Sequence, residues 1–429
     1  MYWDQPTETM PREKLAALQL ARLKETLARA ARAPFYRDRG IADYSVTSLS
    51  DLAKLPVTTK QDLRDAYPYG MVSIPLEKVV RLHSSSGTTG TPTVVYHSTH
   101  DIDAWTELVA RCMFMAGVRN TDIFQNMTGY GLFTGGFGFL YGAERLGCLN
   151  IPTGPGNTKR QLKFMKDFKT SVIHAIPSYA LYLADTLETM GIDPRKEFPD
   201  LRIIFLGAEP HSEETRKKIE DFFGVSAFNS YGLSEMNGPG VAFECPNRAG
   251  MHIWEDAFLI EIVDPVSLQP VAPGELGELV ITTLNHEAMP IIRYRTKDLT
   301  AAIVERCSCG RTHTRIKRIT GRSDDMLILK GVNIFPVQIE QVLIGIAGVR
   351  RNYQILLETR GNNDHMIVRV EIDPNLFTDE LKALENLRKR IAHELRDEIL
   401  ITPEVELCKP GSIPVAEGKA VRVIDKRVL

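Results

Sequence analysis

Ten residues, Ser84-Ser85-Ser86-Gly87-Thr88-Thr89-Gly90-Thr91-Pro92-Thr93, gather so many hydroxyls and glycines that few jobs other than holding a phosphate suit them. Glycine lets the backbone turn its N–H groups toward an anion, and Ser and Thr hydroxyls add neutral donors. The flanks Val79-Val80-Arg81-Leu82-His83 and Val94-Val95-Tyr96-His97 are both β-like, so the loop is expected to join two strands. A Walker loop would open a helix and would need Gly-Lys-Ser/Thr, whereas here Gly90 is followed by Thr91 and Pro92. Taken alone, such a run is also the composition of a plain flexible loop, so its meaning rests on the rest of the chain.

That chain has 429 residues, 43% of them hydrophobic, enough for a large core and two or three domains. Residues 11–33 read as a packing helix with Leu20, Leu23 and Leu27 on one face, ended by Pro34-Phe35-Tyr36. From Leu55 to Ile281 short apolar strand candidates alternate with helical patterns such as Ser212 to Phe222, which predicts an α/β body with a partly parallel sheet. Strand candidates at 173–175 and 203–206 run into loops, and the carboxyl ends of strands are where open α/β sheets bind ligands. After Gly321 the pattern changes to a helix near 336–344, strands near 353–357 and 366–372, and an amphipathic helix with Leu381, Leu384, Ile391 and Leu395. The expectation is a large N-terminal α/β domain over 1–321 and a small mobile α+β domain over 322–429, divided at Arg322-Ser323-Asp324-Asp325.

A net charge of -2 gives no basic field of the kind that selects nucleic acid or anionic membrane, so neither is expected as a partner. Met1-Tyr2-Trp3-Asp4-Gln5 lacks a basic segment followed by an apolar one, and no apolar run approaches the ~20 residues that cross a bilayer, which predicts a cytoplasmic protein. Six cysteines over this length are too few and too uneven for a disulfide scaffold, leaving reduced thiols or a metal site.

The Ser/Thr/Gly run resembles the phosphate loop of adenylate-forming enzymes, the superfamily of acyl- and aryl-CoA synthetases, luciferases and peptide-synthetase adenylation domains. Gly207-Ala208-Glu209-Pro210, Tyr231-Gly232-Leu233-Ser234-Glu235, Tyr294-Arg295-Thr296-Lys297-Asp298 and Gly321-Arg322-Ser323-Asp324-Asp325 resemble further motifs of that superfamily in order, and Glu417-Gly418-Lys419-Ala420 resembles its lysine-bearing loop. Tyr130-Gly131-Leu132-Phe133-Thr134-Gly135-Gly136, Ile176-Pro177-Ser178-Tyr179 and Pro290 to Thr296 are similar to the phenylacetate-coenzyme A ligases in particular. The resemblance implies that an aryl acid, phenylacetate first, attacks the α-phosphate of ATP to give aryl-AMP and pyrophosphate, and that the thiol of coenzyme A then gives aryl-CoA and AMP.

By the same resemblance, Ser84, Ser85, Ser86, Gly87, Thr88, Thr89 and Gly90 hold the β- and γ-phosphates, with Thr88 as a catalytic hydroxyl donor. Glu235 binds Mg2+, for which a carboxylate is suited. Asp298 takes the ribose hydroxyls, Gly207, Ala208, Glu209, Pro210, Asn229, Ser230 and Tyr231 flank the adenine with Tyr231 stacking on the ring, and Gly232 and Ser234 join the nucleotide-binding set. Arg322 joins the nucleotide-binding set, Asp324 is the hinge about which the small domain turns, and Lys419 holds the carboxylate and α-phosphate together. One departure stands out, because the family's phosphate loop usually has lysine where this chain has Thr91.

Cys307-Ser308-Cys309 with Cys245 and His252 offers three thiols and an imidazole, which satisfies a structural zinc, with His313 as the reserve ligand and free thiols as the competing reading. Cys112, Cys148 and Cys408 read as buried apolar residues. Tyr130, Phe133, Gly135, Gly136, Phe137 and Tyr141 are candidates to line the acid pocket, with glycines leaving room for a flat ring; a hydrophobic helix core is the alternative. Transfer to a carrier-protein thiol and a non-catalytic nucleotide-binding paralogue stay open as other functions. The resemblance also implies a homodimer.

Overall fold

Short apolar runs such as Val172–Ala175 and Ile203–Leu206 are buried at every position, the pattern of central strands in a parallel sheet. They belong to a computed structural model that describes residues 1–84, 91–132, 134–329, 332–360, 363–376, 381–414 and 421–427. Met1–Ala175, Phe198–Ala208 and Ser226–Ile319 form one unit, and Ile176–Glu197, Glu209–Val225 and Thr320–Leu429 form another.

The strands of the first unit are β1 (Arg81–Ser84), β2 (Val94–His97), β3 (Ile123–Asn126), β4 (Leu149–Ile151), β5 (Val172–Ala175), β6 (Ile203–Leu206), β7 (Ser226–Leu233), β8 (Gly238–Glu244), β9 (Met251–Ile253), β10 (Phe258–Val263), β11 (Gly277–Thr283), β12 (Tyr294–Thr300), β13 (Ala302–Ile303) and β14 (Arg315–Ile316). Nine of them make one sheet in the order β13-β14-β9-β8-β7-β6-β5-β3-β4. From β4 to β7 the neighbours are parallel, and from β7 to β13 they are antiparallel. The chain leaves β3 for the edge strand β4 and returns to β5 on the other side of β3, so strand order reverses there, the kind of switch point at which open α/β sheets bind ligands.

Two smaller sheets complete what positions the site. β1 and β2 pair antiparallel up to Ser84 opposite Val94, so the expected strands do flank the Ser/Thr/Gly loop, whose residues 85–90 lie outside the described residues. β10, β11 and β12 form an antiparallel meander with an irregularity between Glu278 and Val280.

The expected first helix spans Arg12–Ala30 and buries Leu15, Leu23 and Leu27, while Leu20 is half-buried against the same core. Trp105, Phe124, Phe139, Phe205, Phe243, Trp254 and Phe258 are the large side chains at the centre of this unit.

In the second unit, Val349–Arg360 and Asn363–Ile372 form an antiparallel pair, extended by Glu404–Cys408 and Val423–Asp425 as parallel neighbours. Ile339 and Leu343 of the helix Pro336–Gly345 and Ile391 and Leu395 of the helix Leu381–Ile399 share a core with Tyr353, Ile355, Leu357, Val368 and Val370. The same unit holds the helix Glu213–Phe223, capped by the Ser212 hydroxyl. Among the described residues no helix is long and apolar enough to cross a membrane.

Candidate active site and metal centre

β7 pairs with β6 through Asn229 and with β8 from Ser230 onward, so the expected adenine-side residues sit where the strand changes partners. Asn229 donates its backbone N–H to Glu244 Oε2 at 2.8 Å and its Nδ2 to Glu244 Oε1 at 2.9 Å. Ser230 donates its hydroxyl to the Leu206 carbonyl at 3.2 Å, which ties β7 to the end of β6. Gly207 follows directly, and a Cβ there would lie 2.3 Å from Ser230 Oγ, so only glycine fits beside that hydroxyl. Gly232 is tighter still, since its Cβ would lie 1.9 Å from the Gly238 carbonyl oxygen. Ala208 has φ of 68°, a left-handed backbone that costs an alanine strain.

β12 supplies the partners of two expected site residues. Tyr231 donates its hydroxyl to Asp298 Oδ2 at 2.6 Å, and Tyr294 donates its hydroxyl to Glu235 Oε1 at 3.0 Å. Glu235 is buried on the short turn Ser234–Met236, and the Ser234 hydroxyl lies 3.5 Å from that of Thr134. β12 is itself pinned by Arg295, whose guanidinium binds fully buried Glu278 through Nε at 2.9 Å and Nη2 at 2.8 Å. Asp298 donates its backbone N–H to the Thr296 hydroxyl at 3.0 Å.

Past the end of β3, Tyr130 meets Phe137 edge-on at 5.3 Å, and Phe137 stacks on Tyr141 at 5.9 Å. The Arg81 guanidinium lies 5.3 Å from the Phe137 ring and 5.1 Å from the Tyr141 ring. Burial pushes the Tyr130 phenol up to about 12. Gly135 and Gly136 are buried in the first turn of the helix Thr134–Leu146. The expectation that Gly136 leaves space for a substrate ring is corrected, because a Cβ there would lie 2.4 Å from the Gly129 carbonyl oxygen and the space is filled by protein. Its carbonyl accepts Asn126 Nδ2 at 2.8 Å. Asn126 Oδ1 in turn lies 3.1 Å from His174 Nδ1, and the His174 ring stacks on Phe139 at 3.8 Å. Burial lowers the His174 pKa to about 3, so the ring is neutral and its Nδ1–H donates to Asn126.

Ser84, at the base of the Ser/Thr/Gly loop, is buried and donates its N–H to the Leu132 carbonyl at 3.1 Å. Ser85, Ser86, Gly87, Thr88, Thr89, Gly90, Phe133 and Lys419 lie outside the described residues. In the second unit, Glu209 accepts the Ser178 N–H at 3.1 Å in the first turn of the helix Pro177–Thr189, and the neighbouring Pro210 is exposed. Arg322 grips Asp324 with two bonds of 2.8 and 2.9 Å, and Asp325 lies 3.5 Å from the same guanidinium.

The expected metal ligands meet. Cys245 follows β8, His252 lies in β9, Cys307 and Cys309 lie between β13 and β14, and their donor atoms all fall within 4.8 Å of one another. Cys245 Sγ is 3.7 Å from Cys307 Sγ, and Cys309 Sγ is 3.4 Å from His252 Nε2. Two thiolates bound tetrahedrally to zinc at ~2.3 Å stand roughly 3.8 Å apart, so the set has the size and the soft donors that zinc requires. A hydrogen bond from Cys245 holds the Cys309 thiol well below its ordinary range and raises Cys245 correspondingly. His313 is no ligand, because its Nδ1 accepts the Glu255 N–H at 2.9 Å and its Nε2 donates to the Thr7 carbonyl at 3.0 Å. The N-terminal segment straps this loop, with Tyr2 donating to the Cys309 carbonyl at 3.0 Å and buried Glu8 paired with buried Arg311 at 2.6 Å. Burial pushes the Cys112 thiol up to about 12 and Cys148 up to about 11, as befits apolar packing residues.

Glu244, Asn126, His174 and Arg81 were not singled out by the sequence reading. None of the four carried a sequence signal of such a place, since each reads alone as an ordinary polar or charged residue.

The Gly207 turn and the two tyrosine–carboxylate pairs reached by β12 lie in one unit, and a second unit carries the C-terminal sheet. The chain matches the AMP-binding enzyme family over residues 25–286 and the AMP-binding enzyme C-terminal domain over residues 331–427. It is 45% identical to a phenylacetate-coenzyme A ligase of Thermus thermophilus over the whole of both chains, and 46% identical to one of Pseudomonas putida over 99% of this chain and 97% of that one. A solved structure of 2-hydroxyisobutyryl-CoA ligase in the postadenylation state, in complex with R3-HIB-AMP, superposes with a TM-score of 0.92 at 30% identity, covering 99% of this chain and 92% of the other. The same ligase with 2-HIB-AMP and CoA in the thioesterification state gives a TM-score of 0.73 at 31% identity over 99% and 92% of the two chains. The chain belongs to the AMP-binding enzymes, in the family of the phenylacetate-coenzyme A ligases.

Proposed function

We infer that this protein is an ATP-dependent acid–thiol ligase that makes an aryl-CoA, phenylacetyl-CoA first, through an aryl-adenylate. The observation that carries the reading is the pairing made by β12, where Asp298 meets Tyr231 and Tyr294 meets Glu235 within one unit. Full-length likeness to phenylacetate-coenzyme A ligases supports the same chemistry.

In the first half-reaction a carboxylate oxygen of the acid attacks the α-phosphorus of ATP and the bond to pyrophosphate breaks. Asp298 accepts the ribose hydroxyls while the Tyr231 hydroxyl orients its carboxylate. Glu235, held by Tyr294, would hold Mg2+, which supplies charge neutralisation on the phosphates. Lys419 is assigned by family resemblance to the meeting point of the two anions, where a cation offsets their repulsion. In the second half-reaction the CoA sulfur attacks the acyl carbon and the C–O bond to AMP breaks. Tyr130, Phe137 and Tyr141 form the aromatic wall offered to the acid, and Arg81 lies over Phe137 and Tyr141. Cys245, His252, Cys307 and Cys309 would hold a structural zinc with no part in the chemistry.

Pyrophosphate release on a panel of aryl acids with ATP and Mg2+, with and without CoA, tests this reading. Release with phenylacetate that falls by about 100-fold or more in Lys419→Ala, with aryl-CoA and AMP formed when CoA is present, is the expected result. Release without thioester would assign another acyl acceptor, and no release from any acid would make the chain a nucleotide-binding paralogue. Thr91 adds its own test: with lysine absent from the phosphate loop, Thr91→Lys is expected to lower the KM for ATP, and an unchanged KM removes any role for that substitution.

A further inference from the structure

The cysteine cluster and the nucleotide side of the site share a strand. β8 ends at Glu244, and Cys245 follows it directly. Across the hairpin, β9 sets Met251 opposite Glu244 and His252 opposite Phe243. Two of the four cluster donors therefore lie next to Glu244, Cys245 along the chain and His252 beside its strand partner Met251. β8 and β9 pair through Ala242, Phe243 and Glu244, so the ladder ends at Glu244, beside Cys245 and one position from His252's partner Phe243.

Glu244 is 6% exposed, and both of its oxygens are engaged by Asn229, one by the backbone N–H and one by the side-chain amide. Hydrogen bonds to an ionised carboxylate are among the stronger ones, and a buried carboxylate deprived of them is costly. Asn229 is also the last residue of β7 that pairs with β6 before Ser230 turns to β8. A strand that changes partners has no continuous ladder at that point. The Glu244 clamp supplies the missing constraint.

We propose that Glu244 is a positioning residue for the nucleotide site, which carries the order of the cysteine–histidine cluster to Asn229 and so to the Ser230-Tyr231 backbone. The proposal rests on the reading above in which these β7 residues border the nucleotide and the cluster holds zinc. Tyr231 connects the same backbone to Asp298, so a displacement at Asn229 reaches the expected ribose contact within two residues.

The test compares wild type with Glu244→Ala, Glu244→Gln and the exchange Asn229→Asp/Glu244→Gln, reading ATP binding, pyrophosphate-release kinetics and zinc content. Glu244→Ala is expected to raise the KM and Kd for ATP by about tenfold, the worth of one charge-assisted hydrogen bond, with kcat within about threefold and the KM for the acid unchanged. Glu244→Gln should behave similarly, because its amide nitrogen confronts one of the two N–H donors. The exchange restores both bonds, since the glutamine oxygen accepts the backbone N–H and its NH2 donates to the new aspartate, so ATP affinity should return toward wild type. Stripping zinc should raise the ATP KM of wild type more than that of Glu244→Ala, because both changes act through one path.

A lowered kcat with KM intact, equal losses for acid and ATP, no recovery in the exchange variant, or additive effects of metal removal and Glu244→Ala would each overturn the proposal. Wild type that binds ATP but holds no zinc would refute the metal arm, and the exchange would then decide the Glu244–Asn229 arm alone. Failure of wild type to release pyrophosphate while still binding ATP would sink the ligase reading, and the ATP Kd values would decide the role of Glu244.

Discussion

Tyr231 and Asp298 are 67 positions apart in sequence and joined by a 2.6 Å hydrogen bond from phenol to carboxylate. Their bond ties the strand that changes partners at Asn229 to the strand that also reaches Glu235 through Tyr294, so the two expected nucleotide contacts are set by one another.

Tyr231→Phe removes that donor while keeping the ring. A hydrogen bond to a charged group is worth ~1.5–3 kcal/mol, so the KM for ATP is expected to rise by about tenfold or more, with the KM for the acid unaltered. An ATP KM equal to wild type, measured by pyrophosphate release, would show that Asp298 needs no orienting partner.

Backbone geometry around the motifs predicts opposite effects at two small residues. Gly232→Ala places a methyl 1.9 Å from the Gly238 carbonyl oxygen and must part β7 from β8, a loss of more than about 2 kcal/mol. Ala208→Gly relieves a left-handed alanine of φ 68° and should gain ~0.5–1 kcal/mol after the entropy cost of glycine. Denaturant titration of the two variants checks both signs.

Much of this was legible in the sequence, for reasons that differ by residue. The alternation of apolar runs and helical patterns specified the α/β body because central strands must be apolar on both faces, as Ile203–Leu206 is. Cys245, His252, Cys307 and Cys309 were legible by chemistry, although no spacing rule could show that donors up to 64 positions apart would converge (309 less 245). Glu244 was not legible, since a single glutamate reads as a surface charge until the strand pairing buries it beside Asn229. Gly136 was misread because glycine permits close packing as readily as open space, and only the position of the Gly129 carbonyl distinguishes the two.

Zinc should be found at a single equivalent per chain in untagged protein. Cys245→Ser or Cys307→Ser should lose it and lower the Tm by several degrees, because both donors are buried and a structural zinc contributes directly to folding. Metal analysis that finds the same zinc content in these variants as in wild type would move the ion elsewhere.

His174 gives the folded state a pH dependence of known sign. Burial depresses its pKa from 6.5 to about 3, so between those values the unfolded chain binds a proton that the folded chain does not. The stability contributed by keeping this ring neutral is therefore fully present above pH ~6.5 and is lost as pH falls toward 3, by ~1.4 kcal/mol per pH unit well below 6.5. His97, buried against Trp105, is shifted in the same direction, chiefly by burial. His174→Asn keeps a donor for Asn126 and has nothing to titrate, so it should flatten the fall in stability between pH 6 and pH 4 by about one proton. Denaturant titrations of wild type and variant at several pH values measure that slope directly, and equal slopes would mean that His174 is protonated in the folded protein.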